Sequence, residues 1–181
     1  MSVDLDLPIF TIGHSVHALE AFIALLQAHG VQCLVDIRSF PGSRYVPQFN
    51  AEQLSRSLPE VGIQYHPLKL LGGRRKPRPD SPNTGWRNAA FRGFADYMLT
   101  TDFEKGLQEL ITRANAQQVC IMCAEAVPWR CHRSLVADAL LIRGIQVLHI
   151  MPDGSVHPHQ LTPFARVQDG ILVYPPERSS G

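Results

Sequence analysis

The sequence predicts an α/β fold with three layers, in which a mostly parallel sheet of about five strands is flanked by helices and followed by a small C-terminal β appendage. Three observations predict it. Short β-branched apolar runs alternate with stretches whose apolar residues recur every three or four positions. The chain opens strand–helix–strand, which favours parallel strands joined by a right-handed crossover. An apolar run of strand length at Val119–Cys123 hands over, through Pro128, to a second helical stretch. Reactive side chains crowd that handover, where α/β proteins usually place a ligand.

With 181 residues, 45% apolar and 18% charged, the chain reads as one domain over 1–181. The net charge of +1 gives no bulk argument for nucleic acid or membrane. No apolar run reaches 18 residues, and Met1–Ile12 lacks the basic region and long apolar core of a secretory signal. Four cysteines are too few for a disulfide scaffold, so a cytoplasmic, reducing setting is expected.

Taken in order, Leu7–Ile12 is a strand, edge-tolerant because of Pro8. A helix from about His17 to His29 shows Leu19, Phe22, Ile23 and Leu26 on one face, and Gly30 sits where a cap would. Cys33–Ile37 is the second strand, ending in the turn-rich loop to Arg44. Asn50 with Gln53 suggests a capping box for a short helix to Leu58, and Gly62–His66 a third strand. Residues 69–92 form a long basic insertion carrying Arg74, Arg75, Lys76, Arg78, Arg87, Arg92 and Trp86, of the length that usually signals function. Phe94–Leu99 reads as helical, and Thr101 with Glu104 opens a helix to about Ala114. After Val119–Cys123 comes a helix from about Trp129 to Arg143, then a strand at Ile145–Ile150. Residues 151–175 read as the β appendage, with 176–181 a frayed tail.

Three constellations carry candidate chemistry. In the first, strand alternation sends Cys120 and Cys123 to opposite faces, which argues against a Cys-x-x-Cys metal or redox knuckle and leaves Cys120 in the core. The helical wheel tucks His132 towards Cys123 and Glu125, places Cys131 at the edge of that face and turns Arg130 away. A thiol beside an imidazolium, a guanidinium and a helix start would be a competent nucleophile. The alternative is that these cysteines are small packed hydrophobes and His132 a cap. Six residues separate Cys123 from Arg130, and Pro and Trp lie between, unlike the five-residue anion loop of cysteine phosphatases.

The second constellation is Gly13, His14 and Ser15 with Asp36, Arg38, Ser39 and Ser43, leaving the ends of what read as adjacent strands. Gly13 would let a ligand approach the backbone, and Arg38 would clamp a phosphate or carboxylate. An ordinary turn capped by Ser15, with Asp36 paired to Arg38, is equally consistent. Neither the dinucleotide Gly-x-Gly-x-x-Gly nor the Walker pattern is present. The third constellation is the 69–92 insertion, whose interleaved Arg and aromatic residues suit stacked bases or a lid, and equally a solvated loop.

These pieces resemble one family, that of domain of unknown function 488. The resemblance rests on Thr11-Ile-Gly-His-Ser15, Val35-Asp-Ile-Arg-Ser-Phe-Pro41 with Pro47-Gln-Phe-Asn50, Leu71-Gly-Gly73, Gly93-Phe-Ala-Asp-Tyr-Met98, and Cys123-Ala-Glu125 followed by Cys131-His-Arg133. It implies an α/β fold, one site shared by the first two constellations, and no reaction. Ala18 stands where similar sequences have a capping Ser.

The sequence therefore points to an enzyme acting on a small anionic, phosphate- or nucleotide-like substrate, with no cofactor implied. Cys123, Glu125, His132 and His14 are the candidate catalytic residues, with Cys123 as nucleophile, Glu125 as general acid or base and His132 as proton carrier. Gly13, Ser15, Asp36, Arg38, Ser39, Arg44, Cys131 and Arg133 are the candidate anion site. Two other classes stay open: a nucleic-acid module using the insertion, and a metal site from Cys123, Cys131 and His132, with His14 as a further ligand.

Overall fold

The structure, a computed structural model, describes residues 6–177, so most of the expected frayed tail lies outside the described residues. Eight strands run β1 (Ile9–Gly13), β2 (Cys33–Asp36), β3 (Gln64–Pro67), β4 (Val119–Cys123), β5 (Val147–Ile150), β6 (Val156–Pro158), β7 (Arg166–Gln168) and β8 (Ile171–Val173). Five helices are α1 (Leu19–Ala28), α2 (Ala51–Ser57), α3 (Ala89–Tyr97), α4 (Thr101–Ala116) and α5 (Arg133–Leu141). The main sheet has six strands in the order β3-β2-β4-β1-β5-β6. The first five are parallel; β6 turns back against β5, adding one strand to the expected five. Strands β7 and β8 form a separate antiparallel pair, the expected C-terminal appendage.

Side-chain alternation divides the core into the three layers expected. Leu34, Cys120 and Met122 face Phe22 and Leu26 of α1 and Leu54 of α2. Cys33, Val35, Val119 and Ile121 face the other way, onto Phe94 of α3, Phe103 and Leu107 of α4, and Leu135 and Val136 of α5. Strand β1 lies inside the sheet, not at its edge, because Pro8 precedes the ladder and costs it no hydrogen bond. Strands β1 and β2 are not neighbours either. β4 is inserted between them, with Gly13 opposite Cys123 and Asp36 opposite Met122.

Several helix ends differ from expectation because side chains found other partners. Ser15 does not cap α1. It has φ 47°, and α1 starts at Leu19, preceded by Ala18, which offers no side-chain cap. Asn50 precedes α2, but its Oδ1 accepts from Ser43 N at 2.7 Å instead of capping. Thr100, not Thr101, caps α4, and Glu104 binds Arg143 across the fold. α3 begins earlier than expected, at Asn88, whose Oδ1 accepts from Ala90 N and Phe91 N. The expected 129–143 helix is broken: Pro128–Arg130 forms a 3₁₀ turn, Cys131 is extended, and α5 proper starts at Arg133.

The 69–92 insertion is tied down. Buried Asp96 accepts from Arg78 N, Ser81 Oγ and Asn83 Nδ2. Trp86 packs among Phe91, Phe164 and Tyr174. Among the described residues no helix is long and apolar enough to cross a membrane.

Candidate functional site

The end of β4 builds the site. Cys123 continues the Val119–Ile121 side of the strand, so its sulfur faces α5. There it meets Arg133 in the first turn of that helix, with Nη1 2.7 Å from Sγ. Arg133 is fully buried, and four of its five N–H groups are spent. Nη1 also donates to Glu125 O at 2.6 Å, Nη2 to Ala126 O at 3.2 Å, and Nε to Thr11 Oγ1 at 3.2 Å. Arg133, which the sequence offered as an anion-site residue, spends these groups within the protein. It holds the sulfur and the loop after it.

Cys131, in extended backbone just before α5, lines the same cavity as Cys123, and its sulfur accepts from Arg133 N at 3.4 Å. Burial pushes the Cys123 thiol up. The Cys131 hydrogen bond and the Arg133 charge overcome that and bring it down to about 7. Cys131 is driven the opposite way, by burial and by the neighbouring Cys123. One thiolate is thus shared between two sulfurs and one guanidinium, and Cys123 keeps it.

Above Cys123 is a cavity of about 320 Å³. Of the candidate residues, Cys123, Glu125, Cys131, His132, Arg38 and Ser39 line it. Arg74 and Arg130 line it too, flanked by Phe40 and Phe91. Arg130 belongs to the 3₁₀ turn, not to the helix, and so reaches the cavity that the helical wheel had turned it from. Arg74 lies over the Phe40 ring at 4.8 Å, and its backbone N donates to Ser39 Oγ. Neither Arg74 nor Arg130 pairs with a carboxylate among the described residues. The Glu125 side chain is exposed at the cavity, while its carbonyl works inside it.

His132 is not placed as a proton carrier for Cys123. Its Nε2–H lies between two carbonyls, Ile37 O at 2.9 Å and Leu71 O at 3.0 Å, and Nδ1 faces Cys131 Sγ at 3.5 Å. Burial lowers its pKa to about 4, so the ring is neutral. Gly73 is required beneath it, since a Cβ there would come within 2.5 Å of Nδ1.

The second constellation is divided: Arg38 and Ser39 reach the cavity, while Asp36 and His14 turn to the other face of the sheet. Asp36 is in register with Met122, so its side chain points away from that of Cys123. Asp36 and Arg38 form a buried bidentate pair, Nε–Oδ1 2.9 Å and Nη2–Oδ2 2.7 Å, to which Tyr65 adds its hydroxyl. Arg38 also donates to Phe49 O and to His14 Nε2. Four of its donors are consumed internally and one Nη1 hydrogen remains for the cavity. His14 stacks on Phe49 at 4.6 Å and gives its Nδ1 hydrogen to Ser15 O. Burial lowers its pKa to about 4. His14 and Asp36 thus brace the strand ends and do not line the cavity. Gly13 admits the Glu125 carbonyl, not a ligand. Arg44 is exposed and away from the cavity. Among the described residues no three His, Cys, Asp or Glu side chains converge as metal ligands.

Sequence reasoning missed a buried chain of hydrogen bonds behind Arg133. Thr11 Oγ1 lies 2.6 Å from His149 Nδ1, His149 Nε2 2.8 Å from His159 Nδ1, and His159 Nε2 2.7 Å from Asp138 Oδ1. Asp138, fully buried, also accepts from Thr162 N, Thr162 Oγ1 and Tyr174 Oη. Burial lowers the His149 pKa to about 3. Arg133 Nε donates to Thr11 Oγ1 at one end of this chain, and at the other Asp138, a carboxylate, accepts from His159 Nε2. Polar Thr11 and His149 inside apolar strands were the available signal. That they meet depends on β1 lying beside β5.

No curated protein and no solved structure matches the chain. A family model does match, over residues 18–140, a span that holds Asp36, Arg38 and the whole of Cys123–Arg133. By that match the chain belongs to the family described as domain of unknown function DUF488.

Proposed function

We propose that this protein is an enzyme that uses the Cys123 thiolate as a nucleophile on a small anionic substrate. The observation that carries the reading is the 2.7 Å contact of Arg133 with Cys123 at the floor of an arginine-lined cavity. A buried thiolate needs a compensating charge, and the fully buried Arg133 supplies one while remaining outside the ligand space. The substrate's charge falls to Arg74 and Arg130, with one hydrogen of Arg38. A guanidinium with free N–H groups grips a phosphate-like or carboxylate group in bidentate fashion. Phe40 and Phe91 offer flat apolar faces to a base or another planar group. Glu125, exposed at the rim, is the group able to exchange protons with solvent and substrate.

The insertion favours this reading over a nucleic-acid module. Trp86 is packed, Arg75 lies 3.6 Å over the Tyr97 ring, and Arg78 pairs with Asp80, so these three groups are engaged within the protein.

The test is a pH titration of thiolate absorbance in wild type, Cys123→Ser and Arg133→Lys. Wild type should show one thiolate forming near neutral pH, absent from Cys123→Ser and shifted upward in Arg133→Lys. A wild-type titration near ~8.5, the value of a free thiol, overturns the proposal.

A further inference from the structure

We propose that Cys123 and Cys131 are a resolving thiol pair, in which Cys123 is oxidised by a hydroperoxide and Cys131 closes an intramolecular disulfide. The inference rests on the thiolate reading above and extends it to a second residue and a second chemistry.

Three observations support it. Both sulfurs line the same cavity. Both accept from Arg133, Cys123 from Nη1 at 2.7 Å and Cys131 from the backbone N at 3.4 Å. Cys131 also has a neutral imidazole nitrogen beside it. His132 Nε2 spends its hydrogen on two carbonyls, which leaves the Nδ1 lone pair 3.5 Å from Cys131 Sγ. The other two cysteines are not so placed. Cys120 faces the opposite layer, and Cys33 lies at the far end of β2.

The reaction balances in two steps. The Cys123 thiolate attacks one peroxide oxygen; the S–O bond forms, the O–O bond breaks, and the leaving alkoxide or hydroxide takes a proton from solvent. Sulfur is oxidised by two electrons to a sulfenic acid and the peroxide is reduced to an alcohol or water. Cys131 sulfur then attacks Cys123 sulfur; the S–S bond forms, the S–O bond breaks, and the Cys131 proton leaves with the hydroxyl as water, through His132 Nδ1. The product has no thiolate, so the nucleophile is silenced until a thiol reductant reopens the bond.

Reduced full-length protein is treated with hydrogen peroxide in the presence of dimedone, which traps sulfenic acids, and mapped without reduction. Trypsin cuts after Arg130, so the two cysteines fall on separate peptides. The expected result is a Cys123–Cys131 cross-link in wild type with little dimedone adduct, and a stable dimedone adduct on Cys123 in Cys131→Ser. If wild type carries the adduct or a sulfinic acid on Cys123 with no cross-link, the pairing is overturned while the thiolate stands. If Cys123 resists oxidation in both wild type and Cys131→Ser, each with a native circular dichroism spectrum, the thiolate reading falls as well.

Discussion

A Cβ placed on Gly13 would collide with the carbonyl oxygen of Glu125. That oxygen is also the acceptor of Arg133 Nη1, so the last residue of β1 sets the position of the loop that follows β4. Gly13→Ala forces backbone against backbone. It should destabilise the protein by about 3 kcal/mol, the upper end for overpacking. It should also raise the Cys123 pKa as the loop pulls on Arg133. Urea unfolding and thiolate absorbance measure the two effects, and a variant with wild-type values in both would show that the loop yields freely.

Acid should unfold this protein through its buried imidazoles. Burial lowers the pKa of His14 and His132 to about 4 each and that of His149 to about 3, against ~6.5 in the unfolded chain. Between these values the unfolded state binds more protons. Stability is therefore fully present above ~6.5 and is lost as pH falls towards 4, by up to about 1.4 kcal/mol per unit for each group. Cys123, lowered to about 7, adds a loss between the ordinary thiol range and neutrality. His132→Gln keeps an N–H donor for the two carbonyls and cannot titrate. Its urea midpoint should fall less than that of wild type between pH 7 and pH 4.5, and an identical fall would exclude His132 as a contributor.

The hydrogen-bond chain ending at Asp138 should matter to both stability and the thiolate. Asp138→Ala strands the Thr162 and Tyr174 hydroxyls and His159 Nε2, at roughly 1–3 kcal/mol for each unsatisfied buried donor. Thr11→Val is near in shape and removes the acceptor of Arg133 Nε together with the partner of His149 Nδ1. It should cost less stability but raise the Cys123 pKa, because a loosened guanidinium holds the thiolate less well. Thermal unfolding paired with thiolate titration separates the two variants. Equal effects of both on the Cys123 pKa per unit of lost stability would reduce the chain to a purely structural role.

What the sequence made legible was whatever depends on local period. Alternation along Val119–Cys123 placed Cys120 in one layer and Cys123 in the other. Apolar spacing located α1 and α4. The density of polar residues at strand ends located the cavity. What it hid depends on strand order. Reading Gly13 and Asp36 as leaving adjacent strands made one crevice of them, whereas β4 lies between and register sends Asp36 and Cys123 to opposite faces. Arg38 and Arg133 read as ligand clamps because a sequence lists charges without their partners; here Asp36 takes one and the sulfur the other. The broken start of α5 hid Arg130 in the same way, since a helical wheel assumes a helix.

The insertion of β4 between β1 and β2 also sets when Cys123 and Arg133 come together. Its neighbours are made early in synthesis, yet the strand that carries Cys123 joins them only after most of the chain exists, and Arg133 follows it. Such long-range closure is slow and comes late in folding. A nascent or half-folded chain therefore carries an ordinary, sluggish cysteine. On the proposed function, the thiolate held by Arg133 forms only once the sheet is complete.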